Sequence, residues 1–295
     1  MRTVKNVMVC LDLTEMDVLL IRYADYLCRS FDGIERLIFV HNIPFEFPEE
    51  AEELIRSIDR PLDELVSDLI REKVEQGFTP LAGGPAFEVI VKQTGSTANT
   101  LAEIADACNI DLAITGKKVN FKGSGIIPEK LLRTAGFTSY LLLLPDKAPH
   151  MITDILVPVD FSKASRNALM RGIYLQQQFN ARLSCQHVFS IPTHYFPYIP
   201  LENTEAALRK EAEKDWKKFA EGLKKLEAGE VSCAITFSHG KGIAESIYAY
   251  ALQHKKDLIV IGSEGKGAVT TLLVGSVAIR LIKHDMHIPI LVCRD

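Results

Sequence analysis

The sequence predicts an α/β protein made of two tandem open sheets of parallel strands. Three observations carry this. The chain repeats itself, each copy alternates apolar strand-like runs with helical patterns, and a short proline-bearing polar segment separates the copies. The repeat is plainest at its start. Val7-Met8-Val9-Cys10-Leu11-Asp12-Leu13-Thr14 returns as Ile155-Leu156-Val157-Pro158-Val159-Asp160-Phe161-Ser162, an apolar run closing on Asp, a hydrophobe and a hydroxyl residue.

The elements follow in the same order in both copies. Each first strand leads into a helical pattern, with Leu20, Ala24, Leu27 and Phe31 in one copy and Ala168, Gly172, Leu175 and Phe179 in the other. Thr14 and Ser162 are placed to cap those helices by accepting from first-turn amides. Second strands at 37–41 and 183–188 each run into an Ile-Pro pair, then charged helical stretches span about 49–76 and 201–228. Third strands lie near 86–92 and 231–238. Helices after Gly95 and Gly240 lead into Asp111-Leu112-Ala113-Ile114-Thr115-Gly116 and Asp257-Leu258-Ile259-Val260-Ile261-Gly262, and the closing strands are Ser139–Leu144 and Ile288–Cys293. Strands alternating with helices imply parallel sheets covered on both faces. The seam at 145–150 divides the chain into domains 1–147 and 151–295.

Composition narrows the function. A length of 295 residues, 47% hydrophobic and 24% charged, suits two globular domains. A net charge of −4 with interspersed signs gives no nucleic-acid or anionic-membrane footprint. The N-terminus shows no signal-peptide apolar region and no apolar run has the length of a membrane span, so a cytoplasmic location is expected. The six cysteines form no C-x-x-C pair and are expected as buried reduced thiols.

The C-terminal copy carries a phosphate-binding arrangement. Its fourth strand runs into Gly262-Ser263-Glu264-Gly265, and Gly275-Ser276 opens the apolar helical run from Val277. Glycine lets main-chain amides approach an anion, and a helix N-terminus adds donors and a favourable dipole. The spacing matches neither a Walker A loop, since Gly267 follows Gly265-Lys266, nor G-x-G-x-x-G, since position 270 is Thr.

The G-x2-G-x9-G-S spacing, set after D-L-I-V-I-G with a P-V-D-F-S first strand and a P-I-L-V last strand, resembles the ATP-binding signature of the universal stress protein family. The resemblance covers both halves. It implies two open five-stranded parallel sheets of the adenine-nucleotide α-hydrolase type, paired as an internal pseudo-dimer, with any further homodimer left open. Carried over by position, it implies that Asp160 faces the adenine beside Pro158 and Val159, and that Val188 offers main-chain contacts to the base. Gly262, Gly265, Gly275, Ser276 and Val277 would then wrap ribose and phosphates. The cofactor implied is ATP, with AMP or another adenine nucleotide as alternatives, accompanied by Mg²⁺.

The N-terminal copy departs from this pattern. It keeps Asp12 and Gly116, but Val119 replaces the second signature glycine and Asn42 replaces Val188. Counting from Gly116 sets Glu129 against Gly275, aligning on the next helix sets Gly125-Ile126 against Gly275-Ser276, and the Gly123-Ser124 pair is a third match at the wrong spacing. In each case the reading is a degenerate site, with a different anion held by the loop's lysines, Lys117, Lys118 and Lys122, as the alternative.

Other residues have plainer roles. Asp12 suits a helix start, and the matched His41 and His187 suggest a shared packing or hydrogen-bonding role rather than catalysis. His284 and His287 lack further ligands for a metal, and the proline-aromatic stretch 191–200 is either a partner surface or packing. No nucleophile, acid–base pair or metal motif attaches to the loop, and Asp160 would lie at the base end, far from a γ-phosphate. The expected function is an ATP-binding stress-response or regulatory protein whose nucleotide gates an unknown protein partner. The alternatives are a weak ATPase or nucleotide-using enzyme, and a nucleotide-independent chaperone-like protein.

Overall fold

The computed structural model describes residues 3–31, 33–44, 59–80, 84–118, 126–134, 138–191, 201–224, 231–264, 274–284 and 287–294. The chain divides into two compact units, Met1–Asp146 and Lys147–Asp295.

In the first unit the strands are β1 (Asn6–Cys10), β2 (Arg36–Pro44), β3 (Phe87–Thr94), β4 (Leu112–Lys117) and β5 (Tyr140–Pro145). They lie in the order β3-β2-β1-β4-β5 and every pair is parallel. The helices are α1 (Met16–Ser30), α2 (Leu62–Gly77), α3 (Thr97–Ala107) and α4 (Ile126–Arg133). The second unit repeats the plan with β6 (Asp154–Pro158), β7 (Arg182–Phe189), β8 (Cys233–Phe237), β9 (Leu258–Gly262) and β10 (Ile290–Cys293). Their order is β8-β7-β6-β9-β10, again all parallel. Its helices are α5 (Lys163–Phe179), α6 (Leu201–Lys224), α7 (Ile243–Gln253) and α8 (Ser276–Lys283).

The central strands read as unbroken apolar runs because both of their faces are covered. Val7, Met8, Val9, Ile155, Leu156 and Val157 are all essentially inaccessible. The predicted helical stripe also lies inward, with Leu20, Ala24, Leu27 and Phe31 buried in one unit and Ala168 and Leu175 in the other. Asp111 and Asp257, which open the fourth strand of each unit, tie it to the start of the first. Asp111 Oδ2 accepts from the Lys5 and Asn6 amides at 2.9 and 3.0 Å, and Asp257 Oδ2 from the Thr153 amide at 2.9 Å.

The cap expectation holds for Ser162, whose Oγ accepts from the Ser165 amide at 3.1 Å. Thr14 does otherwise. Its hydroxyl donates to Asp12 Oδ1 and meets only the Met16 amide, at 3.3 Å, so it closes a turn ahead of α1 rather than capping a deeper amide. Of the stretch 49–76, residues 49–58 lie outside those described, and α2 begins at Leu62 behind Pro61. All six cysteines are free thiols, with Cys28, Cys185 and Cys293 buried and the other three half-buried. No helix among the described residues is long and apolar enough to cross a membrane.

Candidate functional site

Strand order in the second unit reverses between β6 and β9, the place where an open α/β sheet offers a crevice at the strand ends. The sequence widens it there. In the first unit the β1–β4 ladder continues to Val9↔Ile114 and Cys10↔Thr115, while the matching β6–β9 ladder stops after Leu156↔Ile259. Val159 donates its amide to Gln186 on β7 at 2.8 Å, so an amide at 158 would face β9. Proline has none, and the two strands part.

Into that crevice opens a cavity of about 510 Å³. Pro158, Val159, Asp160, Val188, Gly262, Gly275, Ser276 and Val277 all line it, so eight of the nine positions named from the sequence come together. Gly265 lies outside the described residues, as do the loop that follows it, the segment 192–200 and Val119. The wall also includes Ser165, Gln186, Ile243, Ile247 and Glu264, which the sequence reading did not single out. The two isoleucines come from the start of α7 and make an apolar side. Gln186 had one usable signal, a polar residue inside β7 where the first unit has Val40.

Two glycines shape the cavity. A Cβ on Gly262 would lie 2.9 Å from the carbonyl carbon and oxygen of Ala164, so only glycine lets the end of β9 meet the start of α5. Gly275 is the N-cap of α8, with φ −61° and ψ 140°, a conformation open to any residue. What matters there is the missing side chain. Nothing from the cap covers the first-turn amides of Ser276, Val277 and Ala278, which have no partner within the helix. The cap's own amide donates to Ser263 O, which ties the residue after β9 to the start of α8. The result is an apolar pocket at one end and uncovered amides, a hydroxyl and a helix dipole at the other.

Asp160 lines the cavity from a constrained turn. Its Oδ1 accepts from the Ser162 amide at 3.0 Å, and Phe161 next to it has φ +65°. Leu13 holds the same backbone, φ +60°, in the first unit. A bulky residue in this region needs external support. The ring of Phe161 stacks on His187 at 4.3 Å, and His187 Nδ1 donates to the Val159 carbonyl at 2.7 Å. His41 makes the same bond to Leu11 O at 3.0 Å, so the matched histidines share a hydrogen-bonding role. Phe161 also meets Phe219 on α6, which in turn meets Trp216.

The first unit has filled its equivalent positions with its own side chains. Met16 lies over Gly116, with its Cγ 2.6 Å from where a Cβ would stand. Asp12 pairs with Lys118 at 3.2 Å. Burial alone would raise the Asp12 carboxyl, but bonds from Thr14 and Lys118 outweigh it and hold it below its usual value. Asn42 is buried and bonded to Thr94 and Thr97. Because Ile126–Arg133 matches Ser276–Lys283 residue for residue, with Leu131 and Leu132 buried as Leu281 and Ile282 are, alignment on the helix is the one the structure supports. Ile126 then replaces the Ser276 hydroxyl, Pro128 deletes the amide that Ala278 offers, and Glu129 in the first turn bonds Arg133 rather than standing at the cap.

Among the described residues no group of three or more His, Cys, Asp or Glu could hold a metal ion. His284 closes α8 through its amide, and the His287 amide donates to the Tyr248 hydroxyl.

The model of the universal stress protein family matches residues 151–294. A curated universal stress protein of Methanocaldococcus jannaschii is 30% identical over 146 residues, 49% of this chain and 84% of that protein. Among solved structures, a universal stress protein from Archaeoglobus fulgidus DSM 4304 is 17% identical, covers 99% of this chain and 97% of its own, and superposes with a TM-score of 0.65. A functionally unknown protein from Pseudomonas aeruginosa PAO1 is 15% identical, with coverage of 98% and 92% and a TM-score of 0.66. At those identities the likeness is one of fold.

Proposed function

Since the chain belongs to the universal stress protein family, we propose that its second unit binds one adenine nucleotide, and that occupancy of the site governs contact with a protein partner. The observation that supports this best is the single cavity that gathers Asp160, Val188, Gly262, Gly275, Ser276 and Val277 at the point of strand reversal. In this reading the base lies against Pro158, Val159, Asp160 and Val188 between the ends of β6 and β7. The phosphates take the amides of Ser276, Val277 and Ala278 and the Ser276 hydroxyl. Gly262 turns the chain beside the ribose.

Mg²⁺ enters as the nucleotide's own counter-ion. Glu264 lines the cavity just after β9, and a carboxylate beside a triphosphate calls for a cation. The ion would take its ligands mainly from the phosphates, with Glu264 the carboxylate nearest the loop. The reading is of a binding site, in which Asp160 lies with the base and Glu264 stands beside the cation rather than acting as a general base. The first unit, closed by Met16 and the Asp12–Lys118 pair, would add no second site.

Calorimetric titration of the nucleotide-stripped protein with ATP and Mg²⁺ tests this. One saturable site per chain, lost in Gly275→Glu, is the expected result. That substitution meets Ser263 O at 3.3 Å, suits the backbone, and sets a carboxylate on the phosphate amides, so the helix keeps its stability while the ligand is excluded. A folded parent protein that binds no nucleotide would overturn the proposal.

A further inference from the structure

One buried polar group in the cavity wall is left over from the scheme above. Gln186 is 1% exposed and stands two residues before Val188 on the same face of β7, in register with Pro158 on β6. Its Oε1 has no hydrogen-bond partner among the described residues. Which end of the amide is unsatisfied follows from its neighbours. Gln186 Nε2 lies 3.0 Å from Thr236 Oγ1, and the Thr236 hydroxyl lies 3.3 Å from the carbonyl of His187. A carbonyl can only accept, so the hydroxyl's one proton goes there and its oxygen must accept from Gln186. The NH₂ group is therefore turned to Thr236, and the carbonyl end is the acceptor left unpaired.

An unpaired buried acceptor is costly, and the repeat shows that the fold does not need one, because Val40 fills the matched place in the first unit. We propose that Gln186 reads the edge of the bound base, accepting a hydrogen from an exocyclic amino group and so selecting an aminopurine. This rests on the nucleotide reading of the cavity and on the base lying between the ends of β6 and β7. Gln186 lines the cavity with its Oε1 covered, so it reaches the base by turning about its two flexible methylenes. Thr236 acts through Gln186, as the residue that fixes which edge the amide presents.

The test compares ATP with purine riboside triphosphate, which lacks the amino group and is otherwise alike. The parent protein is expected to prefer ATP by about tenfold, the usual scale for one buried hydrogen bond that a ligand makes or fails to make. Gln186→Leu, which places an apolar side chain where the first unit already has one, is expected to bring the ratio near one by weakening ATP alone. Thr236→Val frees the amide to turn and is expected to reduce the ratio without abolishing binding. A preference that survives in Gln186→Leu overturns the assignment, as does a parent protein that binds both nucleotides equally. Absence of binding of either nucleotide by the parent overturns the nucleotide reading and this one together, so the two failures are told apart.

Discussion

Replacing Gly262 with alanine perturbs the join on which the site depends. The added Cβ would stand 2.9 Å from the carbonyl carbon and oxygen of Ala164 and 3.2 Å from its Cβ. Two of these are main-chain atoms, which cannot swing aside, so the end of β9 and the first turn of α5 must separate. The positive-φ argument for glycine does not apply at this position, so the cost is steric. Overpacking of this kind costs about 2 kcal/mol, or a fall in melting temperature of about 5 °C for a unit of this size. The repeat supplies a control. At Gly116 the new Cβ would meet Met16 Cγ at 2.6 Å, a flexible side chain that can change rotamer. Gly116→Ala is therefore expected to cost about 1 kcal/mol or less. Because Gly262 and Ser165 both line the cavity, Gly262→Ala should also weaken nucleotide binding, and Gly116→Ala should leave it unchanged. Thermal denaturation by circular dichroism, paired with an ATP titration, reads both effects. A Gly262→Ala protein that melts with the parent, or a Gly116→Ala protein that loses more, would refute the reasoning.

Three further outcomes follow from the same geometry. Ser162→Ala removes the acceptor for the Ser165 amide and should cost about 1 kcal/mol in urea unfolding, with Thr14→Ala costing less because its bond reaches only the Met16 amide. Burial holds the Asp17 carboxyl above its usual value, against the opposing Asp12 amide bond and the Lys73 charge. Its folded form takes up a proton before the unfolded chain does, so its contribution is fullest in acid and is lost as pH rises through the folded value. Asp17→Asn should remove that slope, and urea midpoints should favour the parent more at pH ~4.5 than at pH ~7, a gap that stays constant being the contrary result. Finally, Trp216, the chain's one tryptophan, touches Phe219, and Phe219 touches the Phe161 beside Asp160. Nucleotide binding should change its emission in the parent and not in Gly275→Glu.

The parts of this molecule legible in the sequence are those dictated by local chemistry. Apolar runs marked the buried strands, because a strand covered on both faces tolerates little else, and the repeat set their order. The glycine spacing marked Gly262, Gly275 and Ser276, since each answers a need for close approach or uncovered amides. Less legible were residues whose role depends on a neighbour far along the chain. The place of Gln186 opposite Val40 marks it only as a polar exception, and its role emerges when Thr236, fifty residues on, is seen to claim its amide nitrogen. Thr14 and Ser162 look interchangeable as caps, and the difference arises because the Thr14 hydroxyl is drawn back to Asp12. The alignment of the first unit's loop was open in the sequence, and the match of Ile126–Arg133 to Ser276–Lys283 as helices decides it.

Comparison of the two units shows how little separates a ligand cradle from a closed scaffold. Cys10 keeps an amide that continues the β1–β4 ladder to Thr115, and Pro158 ends the matching ladder two pairs sooner. Met16 occupies space above Gly116, whereas Ala164 leaves a wall of backbone beside Gly262. Pro128 and Ile126 strip a donor amide and a hydroxyl from the helix end where Ala278 and Ser276 present both. Lys118 supplies Asp12 with a permanent cationic partner at the place where the second unit has Glu264. Apart from Pro158, which shortens the central ladder of the second sheet, these changes act on strand ends and helix starts and leave the buried apolar runs alone. The two functions of the sheet, stability and binding, therefore fall largely on different residues, with Gly262 serving both. That separation is why one copy could close its site without loss of fold, and why substitutions at Gly275 or Gln186 are expected to change binding far more than stability.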